Sequence, residues 1–450
     1  MKRQDLSRRG FLGGALLGSV APYVYSQRRT PMPEDFTKYR LRTKLAQRVQ
    51  AGRQIILEEL KPSQSQLQHG LELHYDSYVA DMMGAVYIAN SAGQPGDRLE
   101  RELAEVHQKA EEQGADQAEI TRRVGAAWRA RKPFESAFDP QWQEDCRALY
   151  ALAGLDLAVE DNAGHYTLEE NLRWMASSNL VYANLDDMTR IVRAVDLSRA
   201  RRQGKLGVIS QLQGVDFLWV PGRSVQNLDL FYGLGVRMAQ LTHGQSNAVG
   251  ADAYQLSHRD QGLTHEGKEL IHRMNQLGVI LDLSHAADRT AMEAIEASRQ
   301  PVVNSHTACE AVYDDLDQRN MDDDHFRAVA KTGGVVGIYI VSHRLLDQGS
   351  LQFSPRWNSH PSRPATFQDF FRHLEHALKV IGADHVGIGT DVTYLPSWSP
   401  RATEWSNWPY WTVGMVCRGL GDDEIRKILG GNFLRVAERV LDRRPWGPFT

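Results

Sequence analysis

The chain has 450 residues, 42% of them hydrophobic and 24% charged. That balance belongs to a globular protein and excludes a disordered, collagen-like or disulfide-stapled chain. Lys and Arg number 52 against 56 Asp and Glu, for a net charge of −4, so nothing marks a polyanion binder. Three scattered cysteines, Cys146, Cys309 and Cys417, form neither a C-x-x-C zinc module nor an even-numbered disulfide framework.

The N-terminus reads as an address rather than as fold. A basic start, with Ser7-Arg8-Arg9-Gly10-Phe11-Leu12, runs into a weakly apolar stretch from Phe11 to Ala21. That stretch is too short to span a bilayer and has the layout of a bacterial export signal of the twin-arginine type. A basic amphipathic helix is the alternative. Residues 1–29 carry six basic and one acidic residue, so their removal takes the net charge from −4 to −9. The expectation is a protein exported folded to the periplasm, with residues 30–450 as a single domain. Cleavage could fall near Ala21 or Ser26.

After a helical run near Arg40–Leu60, residues 98–132 are rich in Glu, Ala, Arg and Gln with helical spacing, and read as an exposed helical insertion. Short aliphatic or β-branched runs occur at Leu71–Leu73, Gly207–Leu212, Val236–Thr242, Gly278–Leu283, Pro301–Ser305, Gly334–Val341 and His385–Thr390. Helical segments such as Thr264–Leu277, Ala287–Ser298 and Phe367–Ile381 lie between them. Strand–helix alternation implies a parallel sheet. Seven such runs fit a (β/α)₈ TIM-like barrel with one strand missed. A doubly wound open sheet is the second choice, weakened because no G-x-G-x-x-G follows the first run.

In a parallel barrel the reactive residues gather where strands end. Here the runs lead into His74-Tyr75-Asp76, Gln213, His243, Ser284-His285, His306 and Asp391. Imidazole and carboxylate are the donor set of zinc and its neighbours. In an extended strand His74 and Asp76, two apart, would share a face, and His285 and His306 could complete a second site. Any one of these histidines alone would more often be a hydrogen-bonded structural residue. Arg319, in Asp314-Asp-Leu-Asp-Gln-Arg319-Asn320, lies either in a solvated loop or at the site, where its planar fork would bind a carboxylate.

These residues make the sequence recognisable. Leu241-Thr-His243, Met274-Asn-Gln-Leu-Gly-Val-Ile-Leu-Asp-Leu-Ser-His285, Pro301-Val-Val-Asn-Ser-His306, Gln318-Arg319-Asn320 and Val386-Gly-Ile-Gly-Thr-Asp391 together resemble the membrane (renal) dipeptidase family, zinc dipeptidases on a TIM-like barrel. The resemblance implies one zinc on His74 and Asp76 and a second on His285 and His306. It also implies His243 against the substrate and intermediate, Arg319 on the substrate carboxylate, and Asp391 as acid or base. A metal-bridging water would attack the peptide bond. It further implies a homodimer.

Three positions depart from the family pattern. Gln213 stands where the family has a bridging Glu, with Asp216 as a shifted substitute. The H-N-D-L-P opening is His74-Tyr-Asp-Ser-Tyr78, and D-F-D-G is Asp391-Val-Thr-Tyr394. An amide cannot neutralise two cations, so the second metal site is expected to be weakened. In length, signal and family the chain is similar to the exported dipeptidase-like members of pyoverdine siderophore maturation systems. That implies a siderophore precursor peptide as ligand and periplasmic maturation enzymes as partners. The alternative is an active zinc dipeptidase. A deaminase-type amidohydrolase would open with H-x-H, which His74-Tyr-Asp76 does not supply.

Overall fold

The computed structural model describes residues 43–442, apart from 85–96, 117–118, 121–122, 126, 128–136, 165–166, 220–224, 256, 259, 315–318, 346–364 and 392–406. The export signal, Tyr394 and most of the run 314–318 thus lie outside the described residues. Strands β1 (Ala80–Asp81), β2 (Leu157–Gly164), β3 (Met188–Arg190), β4 (Leu206–Gln213), β5 (Val236–Gln240), β6 (Ile280–Asp282), β7 (Val303–Thr307), β8 (Val335–Ile338) and β9 (Val386–Ile388) form one parallel sheet. Eight of them follow in the order β1-β2-β4-β5-β6-β7-β8-β9, and β3 pairs only with β4. Met82 N–H donates to Ile388 O at 3.0 Å and Asp391 N–H to Met83 O at 2.8 Å, which brings the last strand back to the first. The sheet is a nearly closed eight-stranded barrel wrapped by helices, the expected TIM-like fold.

Alternation along the strands separates two cores. Val159, Ile209, Met238, Ile280, Val303 and Val335 form one cluster with Phe433, Val436 and Val440 of the final helix, Asn432–Leu441. The other strand face, with Ala158, Val208, Ala239, Leu281 and Val336, packs in the larger cluster that holds the surrounding helices. Asn432 Nδ2 donates to Val386 O at the start of β9, so the final helix closes the barrel's entry end, and among the described residues no helix closes the opposite end in this way.

Six of the seven expected strand runs are strands, and the helices expected from Thr264, Ala287 and Phe367 form within a residue or so of those bounds. Thr264 Oγ1 caps the first of these through Gly267 N–H at 3.0 Å, and Thr366 with Asp369 makes a capping box for the third. Leu71–Leu73 is the exception, because it lies inside the helix Gln64–Asp76. Ser63 and Gln66 form a capping box there, and Gly70, Leu71 and His74 are buried at helical spacing. The first two strands are instead β1 and β2. In the 98–132 segment, Asp97–Glu112 is helical.

One ion pair on the outer layer makes stability depend on pH. His325 Nδ1 lies 2.7 Å from Asp322 Oδ1 at the start of the helix Asp323–Lys331, and its Nε2 meets Asp288 O at 3.0 Å. Burial opposes protonation, but the Asp322 carboxylate and the Asp288 carbonyl outweigh it and hold His325 up to about 8. A raised histidine stabilises the fold fully below its unfolded value near 6.5 and loses that contribution as pH rises through about 8. His325→Gln is therefore expected to cost about 2 kcal/mol at pH 6 and little at pH 9. Denaturant unfolding at the two pH values checks this, and an equal loss at both would show that packing rather than charge is at stake.

Candidate functional site

The open end of the barrel gathers three imidazoles from three successive strands. His243 follows β5, His285 follows β6, and His306 lies within β7. The rings of His243 and His285 are 4.4 Å apart and those of His285 and His306 are 5.3 Å apart. All three are buried. Gln213 ends β4 beside them, where a Cβ on Gly214 would lie 3.2 Å from that of His243. Gly164, ending β2, can bear no side chain because a Cβ there would lie 2.6 Å from Gln213 O. Asp391 follows β9, held by its N–H on Met83 O, with the preceding Thr390 hydroxyl on Asp81 Oδ2 at 2.6 Å.

Backbone strain coincides with this ring. Of three described non-glycine residues with positive φ, two are His285 (φ 70°) and Asp391 (φ 52°). Such conformations cost roughly 1–3 kcal/mol each and persist where the surroundings enforce them, often at functional sites. Ala253 N–H on His285 O at 2.8 Å is one such restraint.

Arg319 is 3% exposed, which rules out the solvated loop. Its Nη1 donates to His306 O at 2.9 Å, and its guanidinium carbon lies 5.2 Å from the centre of the Tyr339 ring. A second guanidinium, Arg344, sits 5.1 Å from the centre of the Tyr254 ring, which is itself 5.5 Å from His285. Burial, then the Arg319 charge, pushes His285 and His306 well below the ordinary imidazole value, so both are neutral at pH 7. Burial raises Asp391 to about 6 even though Arg319 and Arg344 pull it down. Burial also lifts Asp252 to about 6, in the loop ahead of Tyr254. The mouth therefore holds two fixed cations, neutral imidazoles, and a carboxyl that titrates close to neutrality, suited to an acid or base.

His74 and Asp76 are not brought to this ring. The helix that carries them precedes β1, and His74 is bonded to Ala153 O, just ahead of β2, on the entry side of the barrel. Its Nε2 meets Ala153 O and its Nδ1 meets Thr412 Oγ1, both at 2.8 Å, so both ring nitrogens are engaged. Asp76 Oδ2 pairs with Arg426 Nη2 at 2.8 Å and is half exposed. The expected first metal pair rested on reading a helix as a strand. The strand that does start the barrel ends in Asp81-Met82-Met83, and Asp81 is buried and bonded to Thr390 and to Met83 N–H. The shifted substitute, Asp216, accepts from Asn247 Nδ2 and Gln245 Nε2 and anchors the loop after β5.

His74 thus has a structural part that can be measured. Burial lowers it to about 4, so its contribution is complete above pH 6.5 and is lost as pH falls through 4. His74→Ala is expected to destabilise the fold by about 2–4 kcal/mol, from two lost buried hydrogen bonds and a cavity. Ligand binding at the mouth should not change. Loss of bound metal with unchanged stability would restore His74 as a ligand.

Fold and site together define a parallel α/β barrel with a histidine-ringed, cation-bearing mouth. Residues 148–444 match the membrane dipeptidase (peptidase family M19) model, and the chain belongs to that family. It is 29% identical over 257 residues to dipeptidase tcpJ of Claviceps purpurea (57% of this chain, 56% of the relative). To dipeptidase 3 of Rattus norvegicus it is 34% identical over 221 residues (48% and 42%). The chain spans about half the length of the curated relatives it matches. Among solved structures, the probable dipeptidase PvdM from Pseudomonas aeruginosa superposes with a TM-score of 0.63 at 19% identity, covering 84% of this chain and 99% of that one. A metallopeptidase from Rhodobacter sphaeroides, liganded with a phosphinate mimic of the dipeptide L-Ala-D-Ala, gives 0.55 at 18% identity, covering 65% and 89%.

Membership implies metal dependence, with zinc the typical ion. The donors described here fall short of a zinc centre. His285 Nδ1 and His306 Nε2 are buried without a hydrogen-bond partner, as a pair of ligands would be. Yet no group of three His, Cys, Asp or Glu among the described residues is arranged so that it could hold a metal ion, and hydrolytic zinc sites have three protein ligands. Two positive guanidiniums also stand beside the imidazoles. Sequence reasoning missed Tyr254 and Asp252, which belong to a loop, and Arg344, which sits in the short helix Ser342–Leu345 after β8; the Asp252-Ala-Tyr254 run soon after His243 was the available signal.

Proposed function

We propose that this chain is an exported, dipeptidase-like barrel that takes a small peptide by its carboxylate at the mouth, with a metal centre weakened relative to its family. The observation that carries this reading is the pairing of Arg319 and Arg344 with two unpartnered imidazole nitrogens, while Gln213 replaces the bridging carboxylate. Arg319 would hold the carboxylate, His243 would contact the peptide, and Asp391 would exchange a proton. A siderophore precursor peptide of the pyoverdine type is the proposed ligand, with periplasmic maturation enzymes and a second copy of the chain as partners. The likeness to PvdM supports the fold of that reading. No described helix is long and apolar enough to cross a membrane.

A second reading, an active zinc dipeptidase, draws on the same two bare nitrogens and on the names of the relatives. Calorimetric titration of the mature protein with a small peptide and with its C-terminal amide, beside elemental analysis, separates the two. The free acid should bind at least ~10-fold tighter, since charge-assisted bonds to a guanidinium are lost in the amide. Zinc should fall below two ions per chain. Two zincs per chain with dipeptide turnover of ~1 per second or faster would establish the second reading. Export is tested by replacing Arg8 and Arg9 with Lys; the protein should then stay in the cytoplasm, and unchanged periplasmic levels would remove the twin-arginine assignment.

A further inference from the structure

We infer that Asp282 and Ser305 form a relay that sets the tautomer of His306, holding its proton on Nδ1 so that Nε2 faces the mouth as a bare lone pair. Asp282, the last residue of β6, is fully buried and has donors on both oxygens, with the Ser284 hydroxyl 2.9 Å from Oδ1 beside the backbone N–H groups. Ser284 N–H and Ser305 N–H reach Oδ1 at 3.1 and 2.9 Å. Gln211 Nε2 and the Ser305 hydroxyl reach Oδ2, each at 2.6 Å. Burial pushes the Asp282 carboxyl up, and the donors from Ser305 and Ser284 pull it back toward the ionised form, which is the form this many donors suit.

The consequence passes to the next residue. Ser305 Oγ lies 2.7 Å from His306 Nδ1, and a hydroxyl has one proton. That proton is committed to Asp282, so Ser305 can only accept from His306. Nδ1 must therefore carry the imidazole proton, and Nε2 must be unprotonated. Nε2 is the atom that is buried with no partner. His306 N–H donates in turn to Ser284 Oγ at 3.1 Å, fixing the backbone from the same polar group. Gly389 makes room for this arrangement, because a Cβ there would lie 1.9 Å from Ser305 O.

Asp282 and Ser305 are thus positioning residues. They touch no ligand, yet they decide whether His306 offers the mouth an acceptor or a donor. A bare Nε2 accepts a hydrogen bond from a peptide N–H or binds a cation; with the opposite tautomer it could do neither. Histidines whose far nitrogen is held by a carboxylate or hydroxyl use this control in many sites.

The test is the tautomer itself. Full-length mature protein labelled with ¹⁵N-histidine is observed by two-bond ¹H–¹⁵N correlation at pH 7.5, with the His306 signals assigned by their loss in His306→Gln. The wild type should show Nδ1 protonated and Nε2 bare. Ser305→Ala should leave the tautomers mixed, and Ser305→Thr, which keeps the hydroxyl, should restore the single form. Asp282→Asn should free the Ser305 proton toward Nδ1 and move the imidazole proton to Nε2. A protonated Nε2 in the wild type overturns the relay, and that spectrum decides even if Asp282→Asn fails to fold. An unchanged tautomer in folded Ser305→Ala overturns it as well.

Discussion

Gln213→Glu is expected to tighten zinc binding by at least ~10–100-fold and to bring bound zinc to one ion per chain. The native mouth offers His285 Nδ1 and His306 Nε2, two neutral donors, and no group of three among the described residues is arranged to hold a metal ion. Glutamate at the end of β4 would complete a two-histidine, one-carboxylate set, a ligand combination used by hydrolytic zinc sites with an open position for water. It would also bring a negative charge to a mouth whose Arg319 and Arg344 guanidiniums now disfavour any added cation. Gln and Glu are close in volume, and the position is only 8% exposed, so repacking should be small. One ion rather than two is expected because His74 and Asp76 remain on the entry side of the barrel. Weak dipeptidase activity could follow from a zinc-activated water, and the native protein is the control for it. Elemental analysis after dialysis against a weak chelator reads the result. If the native protein already retains zinc under these conditions and Gln213→Glu changes nothing, the glutamine is no impairment.

The barrel was legible because buried parallel strands are short aliphatic runs between helical segments, and six such runs stood out. The first two strands were not. β1 is two residues long, and β2 carries Glu160 and Asp161 in its middle, with Glu160 buried against the Tyr182 hydroxyl. Nothing in periodicity separates such a segment from a loop. Leu71–Leu73 misled for the opposite reason. Three residues around a Glu alternate like a strand, and only the wider pattern of Ser63, Gln66, Gly70 and His74 reveals the helix. That one exchange cost the expected site two of its ligands. By contrast His243, His285, His306 and Asp391 were placed correctly at strand ends, since a residue just after a parallel strand has few places to go. Arg319 could not be placed from sequence. Its segment is a charge run, and only the fold shows the guanidinium buried beneath His306 O.

Arg319 carries the second large effect. Replacing it with Lys should weaken binding of a peptide carboxylate by ~10–100-fold, because lysine keeps the charge but loses the planar fork that bonds a carboxylate at two points. Replacing it with Met, which fills similar space, should cost more and should also shift the pH profile. Arg319 is the first charge opposing the upward pressure of burial on Asp391, so without it Asp391 should titrate above its present value of about 6. His285 and His306 should move upward too, since the same charge now holds them down after burial. All three groups would then take protons at higher pH. Binding of the peptide acid measured from pH 5 to pH 8 should show this as a displaced midpoint in Arg319→Met, while Arg319→Lys keeps the wild-type midpoint with lower affinity throughout. Thermal unfolding of both variants guards against a collapsed mouth, because Arg319 Nη1 also satisfies His306 O. If both folded variants bind the acid as tightly as the wild type, the carboxylate is held elsewhere and the assignment of Arg319 falls, even though its burial beside the imidazoles stands.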